Sequence, residues 1–216
     1  MRTNQNPIIV AVTLGAALML SGCGTTKGYK QADKTGAGIA EFREEITKGK
    51  TAIDATMKSL SDVAATANTD PRKAFEQFSK DVTALESTAN DIRKSAQSMT
   101  ERGQEYFKQW EAELAQVNSP EIRALAEKRK ADLQSTFESI RKYTQPLKEQ
   151  FEPWMSNLKD LEKYLANDLT IAGVDAAKPL FAKTNDAGLQ VQKSMDGLIA
   201  ELNTLAATIT PAGQKK

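Results

Sequence analysis

The chain has 216 residues, with 29 basic and 28 acidic side chains, one cysteine and no histidine. Without an imidazole there is no Ser-His or Cys-His nucleophile pair, no side chain whose ordinary titration falls near neutral pH, and no histidine-based zinc or iron site. A formal charge of +1 gives no overall attraction to nucleic acid, and the 40% hydrophobic content suits one or two packed domains.

Residues 1–22 read as a secretion signal. Arg2 supplies the positive start, and residues 7–20 (PIIVAVTLGAALML) carry no charge. This run matches a signal h-region and is short for a membrane-spanning helix, which needs roughly 20 residues. It ends in Leu20-Ser21-Gly22-Cys23-Gly24, which resembles the bacterial lipobox: cleavage falls between Gly22 and Cys23, and Cys23 becomes the acylated N-terminus. The sole cysteine stands at the one position that acylation requires. Each buried methylene of an acyl chain contributes about 0.8 kcal/mol, so several chains hold a protein on a bilayer. Loss of Arg2 with the signal leaves equal numbers of basic and acidic side chains. Gly24, where aspartate often retains bacterial lipoproteins in the inner membrane, directs the chain by that rule to the outer membrane, lipid-anchored on its periplasmic face. Residues 23–37, rich in Gly, Thr and Lys without an apolar period, read as a flexible tether.

Residues 38–210 read as a helical domain. In the first segment Ile39, Phe42, Ile46, Ile53, Met57, Leu60 and Val63 recur at helical spacing. The run stops before Asp70-Pro71, an N-cap residue followed by proline at the first helical position. The second segment alternates at three and four residues from Phe75 through Val82, Ala89, Ala96 and Gly103 to Trp110, an a/d seam long enough for coiled-coil packing. Asn118-Ser119-Pro120 repeats the cap-and-proline signal.

The third segment runs from Leu133 through Phe137, Ile140, Leu147, Phe151, Trp154 and Leu158 to Leu165. Its register passes Pro146 and Pro153 without a slip, which predicts a kinked or end-stacked helix and not a reversal. Residues 167–179 (NDLTIAGVDAAKP) read as a connector before a fourth helix with Val191, Met195, Leu198, Leu202, Leu205 and Ile209. Residues 211–216 read as a disordered tail. The fold class is all-α: an elongated antiparallel up-down bundle of about four helices.

The expected lengths are near 45 residues, or ~70 Å, for the second and third helices and near 30 residues, or ~45 Å, for the others. The middle hairpin should then overhang at the tethered end. Its tip carries Trp110, Leu114, Val117, Ile122 and Leu125 beside Arg102, Lys108, Arg123, Lys128, Arg129 and Lys130, and of these Trp110, Leu114, Arg123, Lys128, Arg129 and Lys130 are the candidate interaction surface.

Phe107-Lys108-Gln109-Trp110-Glu111-Ala112-Glu113-Leu114, Ile122-Arg123, Pro153 and Leu165-Ala166-Asn167-Asp168-Leu169 resemble a family of bacterial lipoproteins, catalogued as domain of unknown function 2959. The resemblance covers most of the mature chain. It implies a lipobox and a long helical body, and it supplies no activity. Members carry histidine in the last of these runs, so no role resting on that histidine passes to Ala166-Asn167-Asp168.

No calcium loop, phosphate-cradling glycine loop or nucleophile elbow is present, and the carboxylates at Glu44, Glu45, Asp160 and Glu162 read as solvated helix positions. No cofactor or metal is expected, and no enzymatic activity. Trp110 and Trp154 fall on the apolar register and read as core. The small-residue stripe of Ala89, Ala96 and Gly103 has two readings: close helix packing, or a slot for an apolar ligand. Two functions remain from the sequence. One is a membrane-anchored helical scaffold that binds a protein partner or a second copy of itself through its tip or an uncovered heptad stripe. The other is a carrier or sensor of small apolar molecules or lipids.

Overall fold

The structure is a computed structural model, described here for residues 27–209; the signal, Cys23 and the tail lie outside the described residues. Four helices follow one another: α1 (Lys27–Thr66), α2 (Arg72–Leu114), α3 (Pro120–Asn167) and α4 (Ile171–Ile209). The described residues contain no strand.

Residue pairings fix the direction of each helix. Thr35 Oγ1 donates to the Arg102 carbonyl at 3.2 Å and Thr56 Oγ1 to the Asp81 carbonyl at 3.4 Å, so α1 and α2 are antiparallel. Arg43 meets Asn203 at 2.8 Å and Asn185 meets Ser61 at 2.9 Å, which sets α4 antiparallel to α1. Trp154 with Thr184 and Ser194 with Gln150 do the same for α3 and α4. Each helix packs on two neighbours, in the ring order α1–α2–α3–α4. The bundle is up-and-down throughout.

The helix starts follow local chemistry. Asp70 Oδ1 accepts from the Arg72 amide at 3.2 Å, and the Phe75 amide already donates to the Pro71 carbonyl at 2.9 Å, so Asp70 caps α2 and Pro71 is its first turn. Ser119 Oγ accepts from the Ile122 amide at 3.4 Å ahead of Pro120. Thr170 Oγ1 accepts from the Gly173 amide at 3.1 Å and caps α4.

Two boundaries correct the sequence reading. The tether expected over residues 23–37 is helical from Lys27 on, and the connector expected over residues 167–179 shrinks to three residues, with Gly173 and Pro179 inside α4. In both stretches the buried positions are filled by residues no larger than valine: Ala32 and Thr35 in α1, and Gly173, Val174 and Ala177 in α4. Large apolar side chains alone do not report them.

Pro146 and Pro153 lie inside an uninterrupted α3. Each denies one amide to the carbonyl four residues earlier. Both prolines face solvent, where water can satisfy the freed carbonyls. Trp154, 1% exposed, anchors the same stretch by donating its indole N–H to the Thr184 carbonyl at 2.8 Å. Gly188 opens the space for it: a Cβ there would stand 3.0 Å from Trp154 Cζ2 and 2.5 Å from Met57 Sδ.

The helices measure 40, 43, 48 and 39 residues, so α1 and α4 are close to the middle pair in length. The overhang of the hairpin is correspondingly smaller than expected. Gly28, at the start of α1, already faces Glu113 near the end of α2. On the α4 side the Arg129 guanidinium reaches the Thr208 carbonyl at 2.8 Å. Among the described residues, α3 therefore projects past the end of α4 by only about nine residues, or ~14 Å.

Candidate functional site

Of the four seams, that between α2 and α3 is the most open, and a second hollow of about 440 Å³ lies between Leu161 and Tyr164 of α3 and Ala177 and Leu180 of α4. Helices α2 and α3 meet at the ends of their shared length. At one end Ser79 donates to Glu162 and Lys159 donates to Glu86 at 2.6 Å. At the other, Phe107 and Phe137 stack edge to face with centroids 5.9 Å apart, and Lys130 pairs with Glu111.

Between these ends the helices stand apart and leave a trough of about 450 Å³. Ala89, Ile92 and Ala96 of α2 form one wall, Leu147 and Phe151 of α3 the other, and Phe42 of α1 part of the floor. The burial pattern tells the same story. Phe78, Val82 and Leu85 before the trough are fully buried, yet the seam positions Ile92, Ala96, Leu147 and Phe151 are only half-buried. Arg93, Lys148 and Glu152 stand at the rim. The walls offer an apolar surface with charge only at the mouth, which suits a hydrophobic side-chain row or a hydrocarbon.

The small-residue stripe of α2 thus divides. Ala89 and Ala96 line the trough, whereas Gly103 is filled from across the seam by Phe137: a Cβ on Gly103 would lie 2.7 Å from Phe137 Cε2 and 2.8 Å from Cε1. Sequence spacing groups the three residues, and only the partner helix separates them.

At the hairpin tip the structure brings together most of the residues singled out in the sequence and assigns several to local roles. Trp110 is half-buried and packs edge-on against Tyr106, with centroids 5.6 Å apart. Leu114 and Val117 share a notch of about 290 Å³ with Gly28 and Ala126. Burial in this cluster pushes the Tyr106 phenol up from its ordinary range, and the nearby Arg129 charge opposes that shift. Arg123 donates to the Val117 carbonyl at 2.7 Å and closes the turn. Arg129 caps α4, and Lys130 pairs with Glu111. Lys128 is exposed. The basic cluster is thus largely engaged by the protein's own carbonyls and carboxylate. Ile122 and Leu125, which the sequence already places at this tip, are its most exposed apolar pair, at 58% and 71%.

Cys23 and the cleavage position at Gly22 lie outside the described residues. Among the described residues no group of three or more Cys, Asp or Glu stands close enough to hold a metal ion, and no helix is long and apolar enough to cross a membrane.

Fold and site together define an antiparallel four-helix bundle whose α2–α3 seam is open to its apolar interior. The chain belongs to the family described as "Protein of unknown function (DUF2959)", whose model matches residues 25–209. No curated protein and no solved structure matches it.

Proposed function

We propose that the chain is a lipoprotein, acylated at Cys23, that stands on the periplasmic face of the outer membrane. It works without catalysis as a helical scaffold, taking a partner helix, its own copy's or another protein's, into the α2–α3 groove. The lipobox-like Leu20-Ser21-Gly22-Cys23 and the neutral mature body support the placement. The observation that carries the role is the groove itself: an apolar heptad seam, half-buried at Ile92, Ala96, Leu147 and Phe151, along the least tightly packed pair of helices. Such a seam is completed by a row of apolar side chains at helical spacing.

A second reading rests on the depth of the same trough, whose lining comes from all four helices, including Phe42 and Met195. That shape also fits a lipid or other small apolar ligand. One pair of measurements separates the two. A photo-cross-linking residue at Ala96, in cells, should yield protein adducts that the same residue at exposed Lys94 does not. Adducts at both positions or neither would remove the partner-helix reading. Lipid co-purifying in native mass spectrometry, and lost in Ala96→Leu, would establish the carrier reading in its place.

A further inference from the structure

The end of the bundle at which α1 starts carries an apolar ridge. Ile122 and Leu125 lie one turn apart on the first two turns of α3, 58% and 71% exposed. Among the other exposed large hydrophobic residues, Leu180 and Tyr164 share the hollow between α3 and α4, and Ile171 and Leu189 lie elsewhere on α4. Single exposed apolar residues are ordinary on a folded surface, and what singles out this pair is its place at the end of the rod beside the start of α1.

The length of chain outside the described residues says what this ridge faces. Cys23 lies four residues before Lys27, so its Cα stays within about 14 Å of the start of α1 however those residues run. Gly28 shares a notch with Val117 and Ala126, and Ile122 and Leu125 sit within ~9 Å of helix from Pro120. An acylated Cys23 therefore holds the bilayer surface within reach of the ridge. The charge agrees: between Ala115 and Lys130 the chain has four basic and two acidic side chains, and Arg123 and Lys128 flank the ridge. Half-buried Trp110, at the same end, has the amphipathic ring favoured at a membrane interface.

We propose that the hairpin tip is a second membrane contact, with Ile122 and Leu125 inserted among the lipid headgroups of the membrane that holds Cys23. This inference rests on the acylated-Cys23 reading. Two short apolar side chains add to the anchor and fix the angle at which the rod stands, bringing the groove to a set height above the bilayer.

The test uses the full-length processed protein in vesicles of phosphatidylethanolamine and phosphatidylglycerol, some with brominated acyl chains. An environment-sensitive thiol dye is attached in Leu125→Cys, in Ile122→Cys, and in Lys80→Cys toward the other end of α2. The wild-type chain should take up no dye, because acylation consumes its cysteine. Dye at 125 and 122 should blue-shift and be quenched by bromolipid; dye at 80 should be quenched only by aqueous iodide. Dye at 125 and 122 that behaves like dye at 80, or that neither quencher reaches because protein covers it, overturns the tip contact and leaves the anchor standing. Labelling of the wild-type cysteine overturns both.

Discussion

The Phe137 ring lies in the space that Gly103 leaves by having no side chain, and this contact closes one end of the α2–α3 seam. A methyl group on Gly103 would press on the Phe137 ring, which Phe107, one turn further along α2, also contacts edge to face. Gly103→Ala should therefore destabilise the bundle by about 1–3 kcal/mol, as overpacking outweighs the helix propensity gained. Phe137→Leu in the same chain should restore most of the loss, read by thermal unfolding of the single and double variants.

One and two heptads earlier the same helix position has the opposite sign. Ala89 and Ala96 border open space, so Ala96→Leu adds methylenes to a trough instead of a clash. With the added atoms half-covered, the gain should be about 1 kcal/mol, or about 2–4 °C in Tm. A drop in Tm would show the trough to be filled by its own walls.

The Trp154 indole ties the proline-bearing stretch of α3 to α4. Trp154→Phe loses that hydrogen bond and part of a buried ring, and should cost about 2 kcal/mol in chemical denaturation. Gly188→Ala should also destabilise, because its methyl group meets Trp154 and Met57.

Asp70 gives the pH dependence. The hydrogen bonds from the Arg72 side chain and amide hold its carboxyl below the usual carboxylate range. A depressed folded-state pKa adds stability that is complete above the unfolded value of 3.8 and fades as pH falls through the folded one. Asp70→Ala should thus lower Tm at pH 7, and the gap from wild type should close under acid.

Much of the fold was legible because large apolar residues write its period. Ile39 to Val63, Phe78 to Leu85, Leu133 to Leu165 and Val191 to Ile209 carry the core on the register that spacing assigns them. The misread stretches are those where the core face is small. Gly173 and Ala177 hold α4 on its register, yet glycine beside Pro179 resembles a break. Thr170 before Ile171 was the available start signal. The groove was illegible for another reason. The stripe of Ala89, Ala96 and Gly103 is one pattern in sequence, and its division depends on Phe137 lying opposite one residue while the helices part beside the other two. The partners of the basic tip residues likewise depend on the fold, which brings Arg129 to the Thr208 carbonyl and Lys130 to Glu111.

Intact-mass measurement of the protein extracted from bacterial membranes goes straight to the anchor on which the proposed role stands. The expected species begins at Cys23, lacks residues 1–22 and carries the added mass of acyl chains. A chain that keeps Met1, or a mature chain with an unmodified Cys23 thiol, would contradict it.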